Sequence, residues 1–199
     1  MAYADGERVD IARFSQGELD GWKAKIFVGE SRYVLATIDG RTALHASSNA
    51  SASGLFRKIS IDLRQTPVLH WSWKVDNVLT DLNERTKAGD DYPARIYVIF
   101  SAGAAFWNTR AINYVWSSKQ PIESNWRNAF TGNTQMIAVQ SGSGQTGKWI
   151  DEHRNLLADY RRLFGTEPGK LDAVAIMSDT DNTGGTVSAW YGDIWLDSK

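Results

Sequence analysis

The sequence predicts an all-β protein, a two-sheet jelly-roll β-sandwich that carries one α-helix. Short strand-like segments recur along the chain and are separated by turn-forming residues such as Asp39-Gly40. Only one segment, at about residues 149–164, has apolar residues at helical spacing. Many short strands with a single helix are typical of a sandwich or jelly roll and not of an alternating α/β sheet.

The first predicted strands are short and flank turns that contain glycine. Apolar runs occur at residues 25–27, 33–38 and 43–46, and Asp39-Gly40 between the last two favours a β-hairpin. Residues 68–75 then alternate between apolar and polar types, as expected for a strand with one buried face. We expect further strands at residues 55–63, 94–100, 112–117, 136–139, 173–177 and 187–196.

The helical segment has recognisable end signals. Apolar residues recur every three to four positions between Trp149 and Phe164, and Gly165 follows as a helix-terminating residue. Arg161 and Arg162 lie near the predicted C-terminal end, where the helix dipole favours positive charge. The sequence therefore predicts a single helix at about residues 149–164.

Composition and net charge limit the classes of protein to which this chain can belong. The chain has 199 residues, of which 42% are hydrophobic and 23% are charged, and its formal net charge is −1. We expect one globular domain over residues 1–199, with its core at about 14–196. The absence of a global positive charge does not favour a nucleic-acid partner.

Several chemistries and targeting signals are absent from the sequence. Cysteine does not occur, which excludes disulfides and thiolate chemistry. No apolar run is long enough to cross a bilayer, so we do not expect a membrane-spanning protein. The first residues lack the basic and apolar regions of a signal peptide.

Two acidic turns mark the candidate ligand site. Asp-Asp-Tyr-Pro at residues 90–93 leads into one predicted strand, and Asp-Thr-Asp-Asn-Thr-Gly-Gly at residues 179–185 follows another. We predict that the two turns form neighbouring walls of one cleft. The candidate ligand-binding residues of these turns are Asp90, Asp91, Asp179, Asp181 and Asn182. A structural role is the alternative, because Asp and Asn side chains commonly accept hydrogen bonds from amides within turns.

Residues beyond the first acidic turn complete the candidate site. Arg95 would donate paired hydrogen bonds to hydroxyl or carboxylate groups. Tyr97, which shares a strand face with Arg95, would stack against a ring or hydrogen-bond to it, as would Trp107. Asn113, on another predicted strand, is a further candidate.

No cofactor is expected, and calcium is the alternative. Asp179, Asp181 and Gly184 match the first, third and sixth positions of an EF-hand loop. Trp190 stands where the bidentate Glu belongs, and a predicted strand precedes the loop where an EF-hand has a helix. The segment is therefore not an EF-hand, although this density of oxygen ligands still permits a calcium ion held with help from elsewhere.

A phosphate-binding loop is the strongest misleading motif. Gly-Ser-Gly-Gln-Thr-Gly-Lys at residues 142–148 matches its first seven positions and precedes the predicted helix. Trp149 stands where Ser or Thr should bind magnesium, and alternating strands and helices are missing. We therefore interpret the segment as a Gly/Ser turn.

The sequence contains no complete catalytic signature. The histidines, at 45, 70 and 153, lack metal-ligand spacing, and no nucleophile elbow occurs. Carboxylates from the two acidic turns would suit glycoside hydrolysis if they lay across a cleft at a suitable distance.

Taken together, the motifs resemble a bacterial family known as domain of unknown function 3047. The resemblance rests on residues 90–98, 113–116, 159–165 and 179–184, with residues 71–75 similar to the central strand of that family. It extends from about Phe14 to Leu196. It implies a jelly roll similar to galactose-binding-like and carbohydrate-binding modules, and a protein exported to the periplasm.

Three functional hypotheses follow. The first is non-catalytic binding of a carbohydrate or similar polar ligand on a concave sheet face. The second is a polysaccharide hydrolase or lyase that uses the carboxylates of the two acidic turns. The third is a structural or interaction domain of the cell envelope, with calcium as an optional stabilising ion.

Overall fold

The computed structural model describes residues 8–100 and 109–199, which form two packed β-sheets and one α-helix. The strands are β1 (Val9–Ala12), β2 (Trp22–Val28), β3 (Arg32–Ile38), β4 (Arg41–Asn49), β5 (Ala52–Ile61), β6 (Val68–Val75), β7 (Tyr92–Phe100), β8 (Arg110–Ser117), β9 (Asn125–Arg127), β10 (Thr134–Ser141), β11 (Ile150–Asn155), β12 (Leu171–Asp179) and β13 (Thr186–Asp197). The helix, α1, spans Leu156–Phe164. Short 3₁₀ turns lie at Phe14–Gln16 and Lys87–Gly89.

The strands form a two-sheet sandwich, which confirms the predicted jelly-roll fold class. Sheet 1 has the order β11-β6-β13-β4-β3, and β1 also pairs with β13. Sheet 2 has the order β2-β5-β12-β7-β8-β10-β9. The pairing is antiparallel except between β8 and β10, which are parallel. Within the described part of the chain, no helix has the length and apolar character required to cross a bilayer.

Interlocking aromatic side chains fill the space between the sheets. Trp71 and Trp73 point inward from β6, as their alternation predicts, and their rings meet edge to face with centroids 5.5 Å apart. Across the core, Trp71 contacts Tyr114 at 5.5 Å and Trp73 contacts Trp116 at 6.0 Å. These large buried side chains fix how the two sheets pack.

The predicted β3–β4 hairpin is confirmed. Asp39 has φ of 52° and Gly40 has φ of 78°, so both turn residues are left-handed, as a two-residue hairpin turn requires. The strands pair in register from Ile38 with Arg41 to Arg32 with Ser47.

The start of the predicted helix is wrong, although the helix and its C-terminal end are confirmed. Residues 150–155 form the edge strand β11, which pairs antiparallel with β6. The helix begins only after Asn155, whose side chain accepts a hydrogen bond from Ala158 N at 2.9 Å. Gly165 ends it in the left-handed conformation. The backbone groups of β6 satisfy those of β11, and this pairing outweighs the local helical spacing.

The Gly/Ser segment at residues 142–148 also differs from its phosphate-loop resemblance. It leads into β11, so it does not open a helix as the sequence suggested. Gly147 N donates to Val75 O at 2.8 Å, which ties the turn to sheet 1. The helix N-terminus that binds phosphate in such loops is therefore missing here.

Candidate ligand-binding cleft

Antiparallel pairing of β12 with β7 brings the two acidic turns together, as predicted. Asp179 at the end of β12 lies opposite Tyr92 at the start of β7. The Tyr92 backbone N–H donates to Asp179 Oδ1 at 3.3 Å. Residues nearly ninety positions apart in sequence therefore share one end of sheet 2.

Asp91 holds the second acidic turn in shape. Its carboxylate accepts hydrogen bonds from the backbone N–H groups of Asn182 at 3.2 Å and Thr183 at 2.7 Å. The side chains of the same two residues donate to it at 3.0 and 2.6 Å. Asp91 is fully buried and does not line the neighbouring cavity, so its contacts fit the structural alternative for this carboxylate.

Arg95 is the central cation of the cleft. Its side chain is 3% exposed, and Nη2 donates to Asp179 Oδ2 while Nη1 lies 3.7 Å from Asp90 Oδ2. The guanidinium also lies 5.0 Å from the ring of Tyr92 and 5.5 Å from that of Tyr97. Within residues 8–100 and 109–199, neither Nε nor Nη1 has a hydrogen-bond partner. A buried guanidinium with free donors is costly unless a ligand or water accepts from it.

A cavity of about 310 Å³ opens beside Arg95. Six of the predicted site residues line it together with apolar side chains. The lining comprises Phe27, Val28, Ala52, Asp90, Arg95, Tyr97, Asn128, Phe130, Met177, Asp179, Asp181 and Asn182. The cavity thus combines a charged floor with apolar walls, the arrangement usual for small-molecule sites.

Burial shifts the ionisation of the acidic groups. It raises the pKa of Asp179 well above its ordinary range, against the opposing effect of Arg95. It also raises the pKa of Asp90, again opposed by Arg95. Burial and the nearby Asp91 carboxylate raise the pKa of Asp181. Carboxyls with raised pKa values in a cavity indicate a candidate functional site.

A wider groove of about 730 Å³ continues from this cavity along the outer face of sheet 2. The two spaces share Phe27, Tyr97 and Met177. Ile96, Val98 and Phe100 face the core, so the alternate residues of β7 point into the groove. Small residues along its floor leave room for a ligand to lie close to the sheet; they are Gly54, Ala111, Ala173 and Ala175.

Tyr97 lies where the cavity and the groove meet. Burial raises its pKa to about 12, despite the opposing charge of Arg95, so its hydroxyl remains protonated at neutral pH. It pairs across the sheet with Ala175 on one side and Asn113 on the other. A neutral phenol beside small residues can present its ring or its hydroxyl to a ligand.

Besides Asp91, two further predicted site residues lie apart from the cavity or outside the described chain. Asn113 is fully buried, and its Nδ2 lies 3.5 Å from Met136 Sδ. Asn113 lines neither the cavity nor the groove, although it is next to Tyr97. Trp107 lies outside the described residues.

Sequence reasoning missed the other six lining residues, among them the aromatic Phe27 and Phe130 and the polar Asn128. Phe27 on β2 and Phe130, in the turn between β9 and β10, are 61% and 55% exposed. Asn128 donates to both oxygens of Asp90 at 3.1 and 3.2 Å. The apolar run that includes Phe27 was visible in the sequence, but nothing local indicated its exposure.

The carboxylates of Asp91, Asp179 and Asp181 are the candidate ligands for a calcium ion. Each offers an oxygen within 4.8 Å of the others. However, the oxygens of Asp91 accept four hydrogen bonds, and Asp179 is bonded to Arg95. A guanidinium beside the ligands also repels a cation. The residues therefore fit calcium poorly.

Comparison of the sequence places the chain in a family. The family described as "protein of unknown function (DUF3047)" matches residues 20–195. The chain belongs to this family. Among curated proteins, none matches the sequence.

Solved structures are similar to this DUF3047 chain at low sequence identity, and the first of them shares its fold. A family 30 carbohydrate-binding module of a cellulosomal cellulase from Clostridium thermocellum is 12% identical, with a TM-score of 0.55, over 97% of this chain and 98% of that one. A cleaved adhesin domain of Lys-gingipain from Porphyromonas gingivalis is 13% identical, with a TM-score of 0.45, over 98% and 99% of the two chains. A family 29 carbohydrate-binding module is 11% identical, with a TM-score of 0.43, over 96% and 92%.

Proposed function

We propose that this protein is a non-catalytic binding domain that holds a carbohydrate or a similar polar ligand on the outer face of sheet 2. The ligand lies in the cavity beside Arg95 and extends into the adjoining groove. The domain is exported, as the family resemblance implies, and acts in the periplasm or outside the cell.

The unpaired donors of Arg95 carry this proposal. Nε and Nη1 lie in a side chain that is 3% exposed, and no described residue accepts from them. Hydroxyl oxygens of a sugar would accept these hydrogen bonds, and the hydroxyl hydrogens would be donated to Asp90 and Asp181. A hydroxyl group both donates and accepts, so a polyol suits a site in which acids and a guanidinium alternate.

Aromatic side chains at the mouth of the cavity support the same ligand class. Phe27 and Phe130 belong to different elements, and both line the cavity and are largely exposed. Their apolar faces suit the C–H faces of a sugar ring, and Tyr97 lines the same cavity. The fold shared with the family 30 module is consistent with this function, although the fold alone does not establish it.

The contacts give less support to the other two hypotheses. Donors engage Asp91, Asp179 and also Asp90, whose two oxygens accept from Asn128, so the carboxylates of the two turns offer no pair free for acid and base catalysis. A structural domain of the envelope would not require a polar cavity with unpaired buried donors. Ligand binding accounts for both the cavity and these donors.

A matched pair of surface variants tests the proposal. In Phe130→Ala, loss of one wall should weaken binding of a responding oligosaccharide about 10-fold, because apolar contact with the ring is removed. Ile122→Ala is the control, since Ile122 is similarly exposed, at 54% against 55%, and does not line the cavity. Isothermal titration follows a thermal-shift screen of neutral, acidic and amino oligosaccharides.

The outcomes of this test are distinct. Binding that weakens in Phe130→Ala and not in Ile122→Ala supports the cavity as the ligand site. Equal affinities in both variants would show that the ligand binds elsewhere. No response to any saccharide would contradict carbohydrate binding.

A further inference from the structure

The charges that line the 310 Å³ cavity are unbalanced. Asp90, Asp179 and Asp181 line it, and Arg95 is the only basic residue among its described lining residues. Arg95 is bonded to Asp179 and lies 3.7 Å from Asp90. Asp181 has no ion pair among the described residues, and it accepts one hydrogen bond, from Asn182 Nδ2 at 3.1 Å. Negative charge therefore remains on the side of the cavity formed by Asp181.

We propose that the cavity selects an amino sugar with a free ammonium group over its neutral, N-acetylated and acidic analogues. The proposal rests on the carbohydrate-binding function above and specifies the class of sugar. The ammonium group would donate to Asp181 and Asp90, and the ring hydroxyls would accept from Nε and Nη1 of Arg95. One molecule would then satisfy the unpaired acid and the unpaired donors together.

Arg95 distinguishes this ligand from a bare cation. A metal ion has no atom that accepts hydrogen bonds from the guanidinium, so Nε and Nη1 of Arg95 would remain unpaired beside it. Arg95 also disfavours an alkyl amine without hydroxyl groups, because Nε and Nη1 would remain buried and unpaired. An acidic sugar would pair with Arg95, but its carboxylate would enter a cavity that already holds excess negative charge.

The cavity walls can also accommodate an ammonium group. Lys25 Nζ lies 5.5 Å from the ring centre of Phe27, and Lys87 Nζ lies 5.3 Å from that of Phe130. Both lysines are exposed and neither lines the cavity, although Lys25 lines the adjoining groove, so solvent screens their charges. These screened lysines are therefore no obstacle to an ammonium group in the cavity.

The test compares three trisaccharides of similar size by isothermal titration in low salt. They are the β-1,4 trimers of glucosamine, of N-acetylglucosamine and of glucose, and trigalacturonic acid serves as the acidic probe. We expect the glucosamine trimer to bind about 5-fold to 10-fold more tightly than the glucose trimer, since a partly buried charged hydrogen bond is gained. In 0.5 M salt this ratio should fall.

Variants that remove one carboxylate test whether Asp181 causes the preference for the glucosamine trimer. In Asp181→Asn, the affinity ratio between the glucosamine and glucose trimers should approach one. Asp151→Asn, which removes an exposed carboxylate on β11 of sheet 1, should keep the wild-type ratio. An unchanged ratio in Asp181→Asn would overturn the proposal.

Other outcomes separate this proposal from the proposed function. If the glucose trimer, the N-acetylglucosamine trimer or the acidic probe binds as tightly as the glucosamine trimer, the charge selectivity is wrong and carbohydrate binding stands. If no trimer binds, the amino-sugar proposal is wrong, and carbohydrate binding is decided by the wider saccharide screen. If calcium chloride alone stabilises the wild-type protein and Asp181→Asn abolishes that effect, the cluster binds a metal and the amino-sugar proposal is wrong.

Discussion

Arg95→Met should strongly destabilise the protein because it breaks a buried ion pair. The side chains of Arg95 and Asp179 are 3% and 1% exposed. Methionine has a similar length but removes the charge, so the Asp179 carboxylate would remain buried and would accept only from Tyr92 N among its recorded donors. The perturbation is therefore electrostatic, and the lost volume is small.

The size of the effect follows from the burial of both groups. Removing one partner of a fully buried pair costs about 3–5 kcal/mol in the free energy of unfolding. For a chain of this length, such a loss corresponds to a decrease in melting temperature of about 10 °C. Removing both charges in Arg95→Met/Asp179→Asn should recover about half of the loss, because no unpaired carboxylate is left behind.

Urea unfolding measured by tryptophan fluorescence provides the assay for the two single variants and the double variant. Arg64→Met is the control, because Arg64 pairs with Asp62 at an exposed surface site and should leave the unfolding midpoint unchanged. The reasoning is refuted if Arg95→Met unfolds at the wild-type midpoint. It is also refuted if the double variant is as unstable as the sum of the two single variants.

Three further predictions concern stability. Asp91→Ala should lower the free energy of unfolding by about 2–4 kcal/mol, because it leaves the backbone amides of the second acidic turn unpaired. It should also speed the hydrogen exchange of the amides of residues 182–183, and unchanged exchange rates would contradict this role. Burial raises the pKa of Asp159, but the hydrogen bonds and charge of Arg154, together with hydrogen bonds from Arg162 and Tyr114, lower it on balance. The stabilising effect of Asp159 is therefore full above the unfolded pKa of about 4 and is lost as pH falls through the lower folded pKa. In urea unfolding, Asp159→Asn should flatten the pH dependence of the free energy of unfolding in that range. Gly40→Ala should lower the free energy of unfolding by about 1 kcal/mol, because φ at that residue is 78° and alanine is strained there. Gly144→Ala is the control: Gly144 has neither a left-handed φ nor a close neighbour, so the unfolding midpoint should change little.

Local sequence features predicted most strands and the turns between them. Alternation along residues 68–75 identified the buried face of β6, and Asp39-Gly40 identified a hairpin whose turn residues are both left-handed. These signals are reliable because strand alternation and turn conformation depend on neighbouring residues. Residues 150–155 were predicted wrongly because their conformation depends on pairing with β6, which is distant in sequence.

In the candidate site, too, local sequence predicted some features, and contacts between distant segments decided the others. Residue types in the two acidic turns indicated a polar site, and six of the predicted residues line one cavity. Sequence did not distinguish Asp91, whose oxygens are occupied by the opposite turn, from Asp181, which forms no ion pair among the described residues. It also did not identify Phe130 as a cavity wall, since that residue reaches the site from the turn between β9 and β10.

The sequence by itself determined an all-β chain with one helix and two acidic turns, because alternation, turn chemistry and helix end signals are local properties. Only the tertiary structure decided that β12 pairs with β7, that this pairing buries Arg95 against Asp179, and that Arg95, with two donors unpaired among the described residues, lines a cavity. These features depend on hydrogen bonds and packing between segments far apart in the chain, and the free energy of a buried charge is set by those surroundings.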